Sequence, residues 1–226
     1  MNWGSVAERL DADGYAVLPR LLSAPECATL RESYADDALF RKRIVMERHG
    51  YGRGEYAYFA YPLPNRVAEL RTSLYAALAP LANRWHEAMR IDARFPLEHA
   101  QFIERCHSAG QLRPTPLVLK YGVDDYNCLH QDLYGEHVFP LQVACLLSDP
   151  KSDFAGGEFV LTEQRPRRQS RVEVVPMAHG DAVVFAVNQR PVQGARGTHR
   201  VTMRHGVSRL RSGARYTLGI IFHDAV

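Results

Sequence analysis

Apolar positions follow two different rhythms along the chain. Up to residue 97 they recur at helical spacing. Ser5 to Leu10 begins an amphipathic stretch, Ser23-Ala-Pro-Glu26 reads as a capped helix start ahead of Cys27 to Tyr34, and Arg66 to Met89 repeats apolar residues three and four apart. From Pro116 onward the runs shorten. Leu117 to Tyr121, Phe139 to Leu147, Glu158 to Leu161, Val172 to Val175, Ala182 to Val187 and Tyr216 to Phe222 are separated by Gly, Pro, Asp and Ser, which is the punctuation of strands. The pattern predicts an α+β fold: a jelly-roll core over residues 98–226, with helices of residues 1–97 supporting it and forming a substrate lid. With no internal repeat and no low-complexity linker, residues 1–226 are expected to form a single domain.

Composition fits that picture. The chain has 226 residues, 46% hydrophobic and 23% charged, enough to bury a full core. No apolar run is long enough to span a bilayer, and Met1-Asn-Trp-Gly-Ser5 lacks the basic start and apolar stretch of a secretion signal, so a cytoplasmic protein with no membrane contact is expected. Cys27, Cys106, Cys128 and Cys145 show no Cys-x-x-Cys pairing and read as core thiols, with Cys128 on the strand face of His130. Oligomeric state leaves no signal.

The candidate chemistry lies in Tyr121-Gly-Val-Asp-Asp-Tyr-Asn-Cys-Leu-His130-Gln-Asp132 and, downstream, in His205 to Leu218. On an extended strand, His-x-Asp spacing puts His130 and Asp132 on one face. With His205 from a later strand, they would make a 2-His-1-carboxylate set that leaves the other face of a metal open, as in non-haem Fe(II) oxygenases. Arg215, across a hairpin turned by Ser212-Gly213, would hold the distal carboxylate of a 2-oxoacid by two parallel hydrogen bonds. A bare His-x-Asp is weak, because 10 His and 12 Asp yield about 0.5 such pairs by chance. A second one, His179-Gly-Asp181, reads as a polar turn ahead of the strand Ala182 to Val187. His199 competes with His205, since Arg209 follows it by ten residues. The convincing apolar strand after Arg215 favours His205.

Charge bears on the substrate. Between residues 165 and 215 stand 11 Arg against only Glu173 and Asp181, with Arg165, Arg167, Arg168 and Arg171 in one loop. Such a field suits a polyanion, although the chain favours Arg over Lys throughout, 25 to 3, so part of it reads as solvated surface or local ion pairs. Residues 41–61 interleave cations with aromatics. Arg48, Tyr51, Arg53, Tyr56 and Tyr58 would suit a lid that stacks on an exposed base, or an ordinary strand over the core.

These motifs resemble those of the Fe(II)/2-oxoglutarate dioxygenase superfamily over most of residues 115–223, together with the N-terminal motif Leu10-Asp-Ala-Asp-Gly14-Tyr-Ala-Val-Leu-Pro19. Tyr121, nine residues ahead of His130-Gln-Asp132, is similar to the cosubstrate-binding tyrosine of AlkB-type nucleic-acid demethylases. The His205 to Arg215 segment resembles prolyl-hydroxylase-like members. No Arg or Lys follows Arg215, unlike the AlkB pattern with its second arginine. The closer resemblance is to a bacterial group of 2-oxoglutarate oxygenases proposed to act on nucleic acid, with stretches such as Gly156-Gly-Glu-Phe-Val-Leu-Thr-Glu-Gln-Arg165.

The resemblance implies a double-stranded β-helix and Fe(II) on His130, Asp132 and His205. It implies 2-oxoglutarate on Arg215 and Tyr121, with molecular oxygen as co-reactant. The expected substrate is nucleic acid, alkylated DNA bases first, in single strands or flipped out, which would place the protein in DNA repair. Arg48, Tyr51, Arg53, Tyr56, Tyr58, Arg165, Arg167 and Arg168 are the expected contacts. A protein-residue hydroxylase of the prolyl type and a non-enzymatic metal-dependent sensor are the alternatives.

Overall fold

Among the described residues four α-helices form, the first two with side-chain caps at their starts and the last two without, on their apolar period. Helix α1 (Trp3–Asp13) starts at Asn2, whose side chain accepts from Ser5 N, and ends at Gly14 in the left-handed region. Helix α2 (Ala24–Glu32) opens with a reciprocal Ser23/Glu26 capping box. Helix α3 (Asn65–Ala88) buries Val67, Leu70, Leu74, Leu78, Leu81 and Trp85 along one stripe. Helix α4 (His99–Ser108) buries His99, Phe102 and Cys106, within the stretch expected to be all jelly roll. The computed structural model of the chain describes residues 1–195 and 197–226; Arg196, one of the eleven arginines of the basic stretch, lies outside the described residues.

The strands are β1 (Tyr15–Leu18), β2 (Phe40–Val45), β3 (Gly52–Arg53), β4 (Glu55–Phe59), β5 (Leu117–Tyr121), β6 (Tyr126–His130), β7 (Leu141–Leu146) and β8 (Phe154–Gly156). They continue as β9 (Phe159–Gln164), β10 (Arg171–Val175), β11 (Ala182–Ala186), β12 (Gln189–Gly194), β13 (Gly197–Val207), β14 (Leu210–Gly213) and β15 (Arg215–Ile220). The larger sheet runs β1-β11-β7-β15-β5-β4-β2 and the smaller β10-β9-β13-β6-β3, with β12 also paired to β13. Every pairing is antiparallel, as in a jelly-roll core. Helical and strand segments together make the fold α+β.

One face of the larger sheet meets the helices: Val118, Val143 and Leu218 join Leu74, Trp85 and Phe139 in the main core. The opposite face meets the smaller sheet through Ala144, Phe159, Leu161, Val183 and Phe185. Residues 40–59 are not a free lid. Their β2 and β4 extend the larger sheet beyond β5, and β3 edges the smaller one. Tyr56, Tyr58 and Phe59 are therefore strand residues, the plainer of the two readings of this aromatic segment.

The C-terminal connection also differs from the expected hairpin. Strand β14 pairs with β8, whereas β15 pairs with β5 and β7, so Ser212-Gly213 turns the chain from one sheet to another. Gly213 sits at φ 77°, and a Cβ there would collide with the Asp153 carbonyl, which itself accepts from Ala214 N. Arg215 is thereby delivered to a different sheet from His205.

Candidate metal centre

Strand β6 ends at His130, and the chain leaves the ladder before Asp132, so the two do not share a strand as expected. Two-residue spacing still carries both to one place. His205 stands directly opposite His130 in the β13/β6 register, and a bulge follows between His205 and Val207. At Gly206 the backbones approach closely: a Cβ there would lie 2.7 Å from the Asn127 carbonyl.

His130 Nε2 is 3.5 Å from Asp132 Oδ1 and His205 Nε2 is 3.4 Å from Asp132 Oδ2, with the imidazole centroids 4.1 Å apart. Three donor atoms from these residues lie within 4.8 Å of one another. Donors on one face of an ion with bonds near 2.1 Å stand about 3.0–3.4 Å apart, so the set fits a single divalent cation with little movement. His130 Nδ1 lies 2.7 Å from the Cys128 carbonyl, which leaves Nε2 with the free lone pair. Burial and the neighbouring His130 pull the His205 imidazole below its ordinary pKa, keeping it neutral as a ligand must be. Burial opposes ionisation of Asp132, yet His205, His130 and the Tyr134 hydroxyl together hold its carboxyl well below the usual range.

A cavity of about 540 Å³ opens between the sheets at this cluster. At its other end a second cross-strand pair, Arg215 of β15 opposite Tyr121 of β5, belongs to the larger sheet. Arg215 is 2% exposed, donates through Nη1 to Thr217 Oγ1 at 2.7 Å, and leaves Nε without an acceptor. Its guanidinium has aromatic neighbours, Tyr121 at 5.6 Å and Phe154 at 6.0 Å, and no carboxylate partner among the described residues. The Tyr121 hydroxyl is also buried, without a hydrogen-bond partner among the described residues, and burial pushes its pKa up to about 12. A buried cation and a neutral hydroxyl, both unsatisfied and facing one cavity, ask for an anionic acceptor.

Residues 54–225 match the Oxygenase-NA family model, described as "Oxygenase, catalysing oxidative methylation of damaged DNA". The chain belongs to the Oxygenase-NA family. It is thus an oxidoreductase of the oxygenase class. An uncharacterised protein of Mycobacterium tuberculosis is 45% identical over 196 residues, covering 84% of each chain. A prolyl-4-hydroxylase of Pseudomonas putida superposes with a TM-score of 0.54 over 99% of both chains at 14% identity. An oxidoreductase of the 2OG-Fe(II) oxygenase family from Burkholderia pseudomallei does so with a TM-score of 0.57, over 100% of this chain and 93% of its own, at 16% identity. At such identities these two likenesses speak for the fold.

Of the other residues singled out in this Oxygenase-NA chain, Tyr51, Tyr56 and Tyr58 line the cavity, and Tyr51 stacks on His49 at 5.3 Å. Arg48 and Arg53 are exposed and off its wall, Arg53 lying 3.9 Å from Glu47. Arg165, Arg167 and Arg168 sit in the turn between β9 and β10, also off the wall; Arg165 is 2.7 Å from buried Glu163, which binds Arg190 as well. Part of the arginine field is therefore local ion pairing. His199 lies in the β12/β13 pairing, outside the metal cluster. His179-Gly-Asp181 is a turn whose carboxylate accepts from Ala178 N and Arg20 N. Cys128 is exposed, unlike the other three cysteines.

Lys42, His49, Tyr134 and Gln142 line the cavity without having been singled out. For Tyr134 the signal was present, since it follows Asp132 by the same two residues that separate Asp132 from His130. Gln142 had one too, as the single polar residue inside the apolar run Leu141–Leu146.

Proposed function

We propose that this oxygenase uses Fe(II) and 2-oxoglutarate to oxidise alkylated bases in nucleic acid, with single-stranded or flipped-out DNA as substrate. The observation that carries the reading is the uncompensated Arg215 guanidinium beside the orphaned Tyr121 hydroxyl, in the same cavity as the His130/Asp132/His205 cluster. A cosubstrate with a carboxylate at one end and a metal-binding keto acid at the other satisfies both ends at once.

His130, Asp132 and His205 would hold the metal, leaving its opposite face to ligands. Arg215 and Tyr121 would bind the distal carboxylate and so orient the keto acid. Iron, when bound there, supplies oxidative decarboxylation of 2-oxoglutarate by O₂, giving succinate and CO₂ and placing the second oxygen atom in a substrate C–H bond. Phe159 and Phe185 flank the His205 ring and keep water from that side. Tyr56, Tyr58 and Tyr134 offer a wall of aromatic faces to the reacting group. On an N-methyl base, hydroxylation yields an N-hydroxymethyl group that leaves as formaldehyde, returning the proton to nitrogen. The family's description names damaged DNA, and the arginine-rich β9–β10 turn supports contact with a phosphate backbone outside the cavity.

A second reading, hydroxylation of a protein residue, is favoured by the exposed apolar side chains Tyr51, Leu129 and Leu133 around the site. Succinate formation by the full chain with Fe(II), 2-oxoglutarate and O₂ tests both. Stimulation by methylated single-stranded DNA over unmethylated DNA, absent in His130→Ala, is expected. Mutant-sensitive turnover indifferent to DNA but raised by peptides would overturn the nucleic-acid reading, and no turnover in iron-loaded protein would overturn the oxygenase chemistry.

A further inference from the structure

The loop after Asp132 is more firmly held than its exposed position requires. The Gln111 side chain, fully buried, donates to the carbonyls of Tyr134 at 3.0 Å and His137 at 3.1 Å and accepts from His137 N at 2.7 Å. It also reaches the Asp224 carbonyl, tying the loop to the C-terminal segment. Gly135 packs on this amide at φ 96°, where a Cβ would lie 2.5 Å from Gln111 Cδ. One buried amide thus fixes the backbone at Tyr134 and at His137 beyond it. What that fixation delivers is the Tyr134 hydroxyl, which donates to Asp132 Oδ1 at 2.7 Å.

We propose that Tyr134 is a positioning residue that makes Asp132 a one-oxygen metal ligand. The inference rests on the metal-centre reading above. A short hydrogen bond to an ionised carboxylate withdraws electron density from the oxygen that accepts it. Oδ1, 3.5 Å from His130 Nε2, is so engaged; Oδ2, 3.4 Å from His205 Nε2, has no hydroxyl donor. Without Tyr134 the carboxylate is free to rotate and bind through both oxygens, which would take one of the positions that the keto acid needs. Tyr134 thereby keeps the open face open, and Gln111 keeps Tyr134 in place.

Cobalt(II) is the probe, added to the purified full chain. Tyr134→Phe is expected to bind it about 10–100-fold more weakly than the wild type and with a changed visible absorption spectrum, the usual consequence of losing a partner of a metal ligand. Glu136→Gln, exposed in the same loop, is expected to bind as the wild type does. The infrared splitting of the Asp carboxylate stretches in cobalt-loaded wild type should be the wide one of single-oxygen binding. That measurement needs no variant, so a narrow splitting overturns the inference even if Tyr134→Phe does not fold. Wild-type binding with unchanged affinity and spectrum in folded Tyr134→Phe, or a narrow splitting in the wild type, would overturn this inference alone. No cobalt binding by the wild type would overturn the metal centre and this inference with it.

Discussion

Two buried arginines show how differently the same side chain can be used. Arg71 of α3, 2% exposed, meets Asp224 at 2.7 Å, Ile221 O at 2.9 Å and Tyr61 Oη at 3.0 Å; Asp224 in turn accepts from Tyr61 and pairs with His107 Nε2. Each charge and hydroxyl there has a partner. Arg215, equally buried, has one hydroxyl and an idle Nε. The first cluster fastens α3 and α4 to the C-terminal segment, while the second leaves Arg215 Nε and the Tyr121 hydroxyl without partners among the described residues. Satisfaction, more than burial or charge, separates the two arginines.

The metal end offers the widest separation. Asp132→Ala or His130→Ala should lower succinate formation by at least about a thousandfold, several kcal/mol of lost metal-centred stabilisation, while circular dichroism stays native. Next in size is Arg71→Met, which takes from the buried Asp224 its arginine counter-charge and should reduce the free energy of unfolding by about 3–5 kcal/mol in denaturant titrations. Arg215→Met should do the reverse. Its unfolding midpoint is expected to hold or rise, because an unpaired buried charge is gone, while 2-oxoglutarate binding weakens by about 2–5 kcal/mol in calorimetry. If both variants were equally destabilised, the contrast between the clusters would be wrong.

Acid should also distinguish them. For Asp224, burial raises the pKa, but Arg71, His107 and Tyr61 outweigh it and hold the carboxyl below its ordinary value. The unfolded chain then binds more protons, so the contribution of Asp224 is complete above about pH 4 and fades as pH falls through the lowered value. Unfolding midpoints measured between pH 6 and 3 should drop with acid in the wild type and less steeply in Asp224→Asn. The smallest effect belongs to the β9–β10 turn. Arg167→Ser and Arg168→Ser should each flatten the salt dependence of single-stranded DNA binding by about one unit of slope, leaving turnover on a free methylated nucleoside unchanged.

Much of this was legible in the residue order. Helix α3 shows in its apolar stripe, α2 in its capping box, and strands such as Ala182–Ala186 in unbroken apolar runs, because each of these depends on neighbours only a few positions away. The short strands β3, β8 and β14 carry no such pattern, having two to four residues and forming because a distant partner offers an edge. Reading Ser212-Gly213 as a hairpin failed for the same reason: the glycine permits a turn, but which strand lies beyond it is decided by β8 and β5. Arginine clustering was visible, whereas the buried Glu163 that neutralises part of it was not.

By itself the sequence determined the chemistry available: the His130-Gln-Asp132 spacing, a histidine ten residues before an arginine, and a tyrosine nine residues before His130. These are identities and intervals, fixed by covalent order. Only the tertiary structure decided that His205 and not His199 faces His130, that Arg215 faces Tyr121 with no carboxylate bonded to it among the described residues, and that Gln111 aims Tyr134 at Asp132. Those are pairings across long intervals of chain, set by sheet register and by which buried polar groups the packing leaves unsatisfied, and no local pattern encodes either.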